Sequence, residues 1–228
     1  MGWREYWEGD SAVYVSERHK AAHYSQLADA ILRTAEGIGK PLSGLNIIDF
    51  GCGEALSAGR IAARVAHLTL NDGSAKVRSQ LLDRFGRLPN VTVSAPEDLA
   101  GRYDFIVVNS VLQYVEPAAA GALLKSLGRT MTADGRMLVA DILPPGLSAV
   151  TDAWQLLSFA ARNGFLVAAV LGLARTAVSD YAKIRAQIGL SRYSAGDFEK
   201  LAESSGYVAV QLPRNVGHNP HRLAFMLH

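Results

Sequence analysis

Cysteine is nearly absent from this 228-residue chain: Cys52 stands alone, which excludes an intramolecular disulfide and a cysteine-rich zinc site. Charge is sparse and unbiased, at 19% of residues, with 23 Lys and Arg against 21 Asp and Glu and a net charge of +2. No dense basic run is present, so the chain is not built to neutralise a polyanion and no nucleic-acid partner is expected. Long apolar runs are also missing. The most apolar stretch, Ala153 to Ala174, is broken by Arg162 and Asn163, and its uncharged part is about half of the ~20 residues of a membrane span. The opening Met1-Gly2-Trp3-Arg4-Glu5 has no apolar h-region, and Tyr6 stands where an acylation signal at Gly2 needs Ser or Thr, so neither a leader nor a lipid anchor is expected. A single cysteine and no leader together give a cytoplasmic expectation.

What is present is apolar residue in quantity, 49% of the chain, enough for a large core in one domain. From about residue 45 the periodicity alternates between strand and helix. Strands are expected at 46–50, 67–70, 90–94, 103–108, 136–140, 207–212 and 222–227, and helices at 56–65, 75–85, 117–131 and 195–204. Tyr103 to Val108 is a near-continuous apolar run, as in a strand buried on both faces, and Pro117 opens its helix. The expectation is an α/β fold: a seven-stranded, mostly parallel, doubly wound sheet with the last strand antiparallel. Two segments stand outside the alternation. Residues 11–37 read as an amphipathic helix with Ala22, Leu27, Ala30 and Ile31 inward, within an N-terminal segment 1–40. Residues 147–190 read as a helical insertion after the fifth strand, between the core at 45–142 and the closing elements at 195–228.

Asp49-Phe50-Gly51-Cys52-Gly53-Glu54-Ala55 occupies the first strand-to-helix turn, where open parallel sheets bind ligands. Glycines there admit a ligand against bare backbone and tolerate positive φ. A dinucleotide fold wants a third glycine where Leu56 stands. An S-adenosylmethionine (SAM) fold wants an acid in the strand followed by G-x-G, because its ligand carries a cationic amino group and no pyrophosphate.

The sequence resembles the class I SAM-dependent methyltransferases. Ile47 to Gly53 is similar to the D-x-G-x-G motif, and Leu70-Asn71-Asp72-Gly73-Ser74 to the acid ending the second strand. Ala95 to Leu99, Tyr103 to Val108, Asn109 to Val115 and Ala133 to Leu138 resemble the family's later segments in order, over about residues 40–142. The resemblance implies SAM as cofactor and S-adenosylhomocysteine as product. It implies that Gly51 and Gly53 admit the methionine part, Asp49 holds the ammonium, and Asp72 accepts the ribose hydroxyls. Ser74, Pro96 and Glu97 would line the adenine, and Asn109 would sit beside the sulfonium. On the residues alone, Asp72-Gly73-Ser74 also reads as a turn with a helix cap, and Asp49 as a satisfied core acid. In one departure, Ala95-Pro96 replaces an acid and an N–H donor, so adenine recognition shifts to Glu97, Asp98 or a neighbouring amide.

The acceptor side is less constrained. Asn109-Ser110-Val111-Leu112 is not the N-P-P motif of base-amino methyltransferases, and Asn109 with Asp141-Ile142 makes no hard-cation cluster, so no metal is expected. The 213–221 connection carries Arg214, His218 and His221; it reads either as an acceptor loop or as a solvated turn. His218, with an ordinary imidazole pKa of ~6.5, is the first candidate base. His19 and His23, four apart on one helical face, are rivals or plain surface histidines. Within the insertion Trp154, Phe159, Arg162, Phe165 and Tyr181 are candidate substrate contacts, forming an apolar lid with a basic rim suited to a small, fairly apolar acceptor that could carry an acidic group. The same apolar block reads equally as helix packing or a homodimer face. Methyl transfer to oxygen or nitrogen of a small molecule is the first functional reading. A non-catalytic SAM-binding or dimeric interaction protein is the second, and a nicotinamide-dependent reductase, disfavoured by Leu56 and Asp49, the third.

Overall fold

The computed structural model describes residues 16–177 and 189–228. Short β-branched and apolar runs form β1 (Asn46–Phe50), β2 (His67–Asn71), β3 (Val91–Ser94), β4 (Tyr103–Asn109) and β5 (Met131–Ile142), with β6 (Ala209–Gln211) and β7 (Leu223–Leu227) closing the chain. Among the described residues they make one seven-stranded sheet in the order β3-β2-β1-β4-β5-β7-β6. β1 to β5 pair in parallel, and β7 runs antiparallel to both β5 and β6. The order reverses between β1 and β4, the switch point at which such sheets bind ligands beyond the strands' carboxyl ends.

The period of two along the central strands divides the core into two layers. Ile47, Leu68, Leu70, Phe105, Val107 and Leu138 face α1 (Glu17–Glu36), α2 (Ala58–Ala62) and α3 (Ala75–Phe85). Ile48, Ile106, Val108, Met137, Val139 and Phe225 face α4 (Pro117–Gly128) and α7 (Ala195–Ser204). All seven residues of β4 are buried, as its apolar run requires.

α1 begins at Ser16, whose Oγ accepts the His19 N–H at 3.1 Å. Its buried stripe of Leu27, Ala28, Ile31, Leu32 and Ala35 fixes it to the sheet. The insertion forms α5 (Ala149–Asn163) and α6 (Leu166–Ala177), separated by Gly164 at φ +72°. Phe165, Ala160 and Ala169 pack as a small core with Phe159 and with Ala22 of α1, so the insertion lies on the N-terminal helix.

Several boundaries differ from the sequence expectation. The helix after β1 is only Ala58–Ala62, because the residues before it serve the glycine loop. The fifth strand, expected at 136–140, already begins at Met131 and takes in Asp134-Gly135. There the register slips, Tyr103 pairing with Met131 and Phe105 with Arg136, and a bulge absorbs the extra residues. The 117–131 helix ends at Gly128, and the 207–212 strand is confined to three residues. No described helix is long and apolar enough to cross a membrane.

Candidate active site

β1 delivers Asp49 to the sheet edge with only 7% of its surface exposed. The chain then turns through Gly51 at φ +69° and Gly53 at φ +58°, conformations that favour glycine. A Cβ on Gly51 would lie 2.5 Å from Val111 Cγ2, so the loop admits no side chain there. Gly51 N–H and Cys52 N–H donate to the Asn71 carbonyl at 2.8 and 3.1 Å. Asp72 organises the rest: its Oδ2 accepts the Gly53 N–H and its Oδ1 the Ser74 N–H, both at 2.9 Å. Tyr24 reaches over from α1, its hydroxyl accepting the Glu54 N–H at 3.0 Å.

Burial, reinforced by the nearby Asp72 carboxylate, pushes Asp49 up to about 7. A buried acid facing a second acid is an unfavourable arrangement that a cation relieves. Burial likewise raises the Cys52 thiol, which stays protonated and takes no nucleophilic role.

Beside this loop, β4 ends at Asn109, 9% exposed, whose Oδ1 has no hydrogen-bond partner among the described residues. Its Nδ2 donates to Ser110 Oγ at 3.3 Å. Gln113, one turn further, also buries an unpartnered Oε1; the sequence reading passed over it, although it stands in the segment after β4. Ser74 caps α3 by accepting the Val77 N–H at 3.3 Å. Pro96 is half-buried at the head of a short 3-10 turn, while Glu97 is exposed. The Ala95 carbonyl accepts Asn71 Nδ2 at 2.8 Å.

On the acceptor side the three histidines proposed as rivals form one cluster. His19 and His23 of α1 and His218 of the 213–221 loop have ring centroids 6.5, 6.2 and 6.0 Å apart, all edge to face. Two phenylalanines from the insertion complete it, Phe159 stacked on His218 and Phe165 on His19, each at 5.0 Å. The i, i+4 spacing gave the shared face; it could not tell that the face is covered, and His19 is buried rather than a surface residue. Burial is the main cause that lowers all three imidazoles to about 4, which corrects the expectation of an ordinary value for His218. They are neutral at pH 7.

The remaining acceptor candidates do not join this cluster. Trp154 is 66% exposed, and Arg162, Arg214 and His221 are exposed too; Tyr181 lies outside the described residues. The expected basic rim is therefore solvated. A half-buried guanidinium that the sequence reading missed is Arg222, which donates from Nη1 to Asp141 at 2.6 Å and from Nη2 to Asp152 at 3.3 Å. Its only signal was its place at the start of the last strand, beside the polar loop.

The sequence model of the family described as "Methyltransferase domain" matches residues 17–212. The chain belongs to this family. An uncharacterized methyltransferase of Mycobacterium bovis is 29% identical over 143 residues, a match covering 61% of this chain and 66% of the relative's length. A relative in Mycobacterium tuberculosis, also an uncharacterized methyltransferase, matches to the same extent. Among solved structures, the magnesium protoporphyrin IX methyltransferase of Synechocystis PCC 6803 with bound SAM superposes with a TM-score of 0.59 at 17% identity, covering 99% of this chain and 88% of that one. The 1,6-didemethyltoxoflavin-N1-methyltransferase of Burkholderia thailandensis, with its substrate and S-adenosylhomocysteine bound, gives 0.57 at 15% identity over 89% and 77% of the two chains. The fold is that of the class I methyltransferases, whose methyl donor is SAM.

The residues of this chain suit that cofactor. Two acids at the edge of β1 and β2, one of them buried, match a ligand with an ammonium group. Gly51 and Gly53 leave bare backbone beside them, and Asn109 keeps a buried acceptor atom unpartnered. Among the described residues, no group of three or more His, Cys, Asp or Glu is arranged to hold a metal.

Proposed function

We propose that this chain transfers a methyl group from SAM to an oxygen or nitrogen of a small, fairly apolar, uncharged acceptor bound against the histidine–phenylalanine cluster. Bound SAM supplies an electrophilic methyl group on a sulfonium. Asp49 holds the ammonium, Asp72 the ribose, Gly51 and Gly53 the methionine backbone, and Ser74 with Pro96 the adenine. Glu97 contributes through its backbone, since its side chain is exposed. Asn109 lies beside the sulfonium and orients it through the free Oδ1.

The single observation that carries the reading is the convergence of His19, His23, His218, Phe159 and Phe165 from three separated segments into one aromatic cluster. The nearby ionic groups Asp141, Arg222 and Asp152 are mutually paired, which favours an uncharged acceptor over one carrying an acid. A pKa of about 4 makes His218 a weak base but a good hydrogen-bond acceptor. It aligns the nucleophile, and an already neutral nitrogen needs least from it. The sparse cysteine and charge fit a cytoplasmic enzyme. The exposed Val150, Trp154 and Val167 on α5 and α6 support self-association through the insertion.

Calorimetry with SAM, S-adenosylhomocysteine and NAD, followed by assay of S-adenosylhomocysteine release against a panel of phenols and heteroaromatic amines, tests the proposal. SAM binding with turnover on at least one uncharged acceptor is expected. Binding without turnover on any of them would favour the non-catalytic reading, and NAD binding in place of SAM would sink both.

A further inference from the structure

The C-terminal ends of β4 and β5 carry two non-glycine residues in the left-handed region, Ser110 at φ +59° and Asp141 at φ +62°. Such backbone costs of order 1–3 kcal/mol per residue and persists where surrounding contacts impose it. Here the two are bonded to each other: Ser110 Oγ donates to Asp141 Oδ2 at 2.7 Å. The same carboxylate accepts Arg222 Nη1 at 2.6 Å, and its Oδ1 accepts Asn215 Nδ2 at 3.0 Å. Asn215 reads Asp141 at a second point, its Oδ1 accepting the Asp141 backbone N–H at 3.0 Å. Three groups thus converge on one side chain, with a fourth bond to its backbone, and none of the three was singled out from the sequence.

The partners lie in the loop that carries His218. Asn215 and Arg222 bracket it, and Asn215 Nδ2 also donates to the Asn219 carbonyl at 3.1 Å, drawing the loop into a closed turn. Gly217 sits so close that a Cβ would lie 3.3 Å from Asp141 Oδ1. The far side of the latch is in the insertion. Asn219 Nδ2 donates to Asp152 Oδ1 at 2.6 Å, and Arg222 Nη2 reaches both Asp152 oxygens at 3.3 Å. Asp152 and Phe159 belong to the same helix, α5, and Phe159 is the ring on which His218 stacks. The turn that places His218 is therefore fastened to the Asp141 carboxylate at the sheet edge, and Arg222 joins that carboxylate to the helix that supplies the stacking partner.

We propose that Asp141 is a positioning residue for the acceptor side, holding His218 against Phe159 through Asn215, Arg222 and Asp152. The inference rests on the reading of His218 as an acceptor-side group, and adds the device that sets its place. Charge-assisted bonds are the stronger kind, and an acid bonded at two oxygens by three residues has little freedom to relax. Removing its charge leaves Arg222 with Asp152 alone and weakens the loop's hold on β5 to the Asp141 backbone N–H bond with Asn215.

Proton NMR of the histidine rings, in the protein alone and with S-adenosylhomocysteine, tests this in Asp141→Asn. In the wild type the His218 ring protons should be displaced upfield by the Phe159 face, an assignment that Phe159→Leu identifies. In Asp141→Asn they should move towards the values of a mobile histidine, while S-adenosylhomocysteine affinity stays within about threefold. Unmoved His218 resonances would overturn the proposal. So would a loss of S-adenosylhomocysteine affinity of more than about tenfold, which would place Asp141 in the cofactor site instead. If Asp141→Asn does not fold, Arg222→Lys and Asp152→Asn carry the same readout, with a graded displacement expected and no displacement in either counting against the latch. A wild type that binds no S-adenosylhomocysteine would defeat the methyltransferase reading, and the ring resonances would still report on the latch.

Discussion

At the scale of single residues the glycine loop combines legible and illegible features. Asp49, Gly51 and Gly53 stand out in the sequence because each departs from what a plain buried strand and turn would need. Ala55 does not stand out, yet it holds φ +42° without being glycine. The left-handed region costs an alanine ~1–2 kcal/mol, while its methyl is buried in the core beside α1. Ala55→Gly would relieve the strain but lose ~0.8 kcal/mol of buried methyl and stiffen nothing in the unfolded chain. The two effects nearly cancel, and thermal unfolding should place that variant within about 1 kcal/mol of the wild type. Ala55→Val, by contrast, puts a branched side chain where it fits worst, and should lower stability by about 2 kcal/mol or more. A neutral valine variant would mean that the loop does not hold this conformation in solution. Asp141 and Arg222 were illegible for a different reason. Their roles come from contacts 74 to 81 residues apart in sequence, and no local pattern encodes such a pairing.

At the scale of elements, α1, the insertion and the 213–221 loop meet at the aromatic cluster, and Asp152 ties the insertion to the loop beside it. The sequence showed each of the three: a helical face with His19 and His23, an apolar block, and a polar loop with His218. It could not show that they face one another, because the pattern of one amphipathic helix does not name its partner. The bulge in β5 was hidden likewise, since Asp134-Gly135 reads as a turn unless the register of the neighbouring strand is known. The meeting has a pH signature with a definite sign. The three imidazoles titrate at about 4 in the folded protein against ~6.5 when unfolded. Between those values the unfolded state binds more protons, so stability rises with pH across the window, is complete above about 6.5, and is lost as pH falls towards 4. Asp49 works the opposite way, being raised to about 7, but it is one group against three. The melting temperature should therefore fall on acidification from pH 7 to 4.5. His19→Phe combined with His23→Phe should flatten that fall while leaving the sheet intact. An equally steep fall in the double variant would assign the acid sensitivity to His218 and the carboxylates.

At the scale of the whole molecule, the strand order and the position of the cofactor edge followed from the alternation of elements and the place of the first glycine turn. The histidine–phenylalanine cluster did not, since it is built where three non-sequential segments meet. The fold thereby sets a linkage between cofactor and protons that reaches global stability. In the free protein Asp49 titrates at about 7 because burial and Asp72 disfavour its charge. An ammonium-bearing ligand reverses both effects, so binding selects the ionised acid and releases a proton wherever Asp49 was protonated. SAM affinity should rise up to tenfold per pH unit as pH climbs towards 7, and level off above it. An α-amino group itself titrates at about 7.7–8.0, so affinity should peak between roughly pH 7 and 8 and decline beyond. Calorimetry at pH 6 in two buffers of different ionisation enthalpy should report close to one proton released per SAM bound. Near pH 7.5, SAM at about 100 times its Kd should stabilise the fold by ~2.7 kcal/mol, and the same concentration at pH 6 by visibly less. Asp49→Asn separates this linkage from any general effect of pH. It should bind SAM more weakly, release no proton, and in the unliganded state melt higher than the wild type at pH 8, because a buried charge has been removed. A wild type whose affinity is flat from pH 5.5 to 7.5, or an Asn variant that binds SAM as well as the wild type, would show that Asp49 is a structural acid and that the ammonium is held elsewhere.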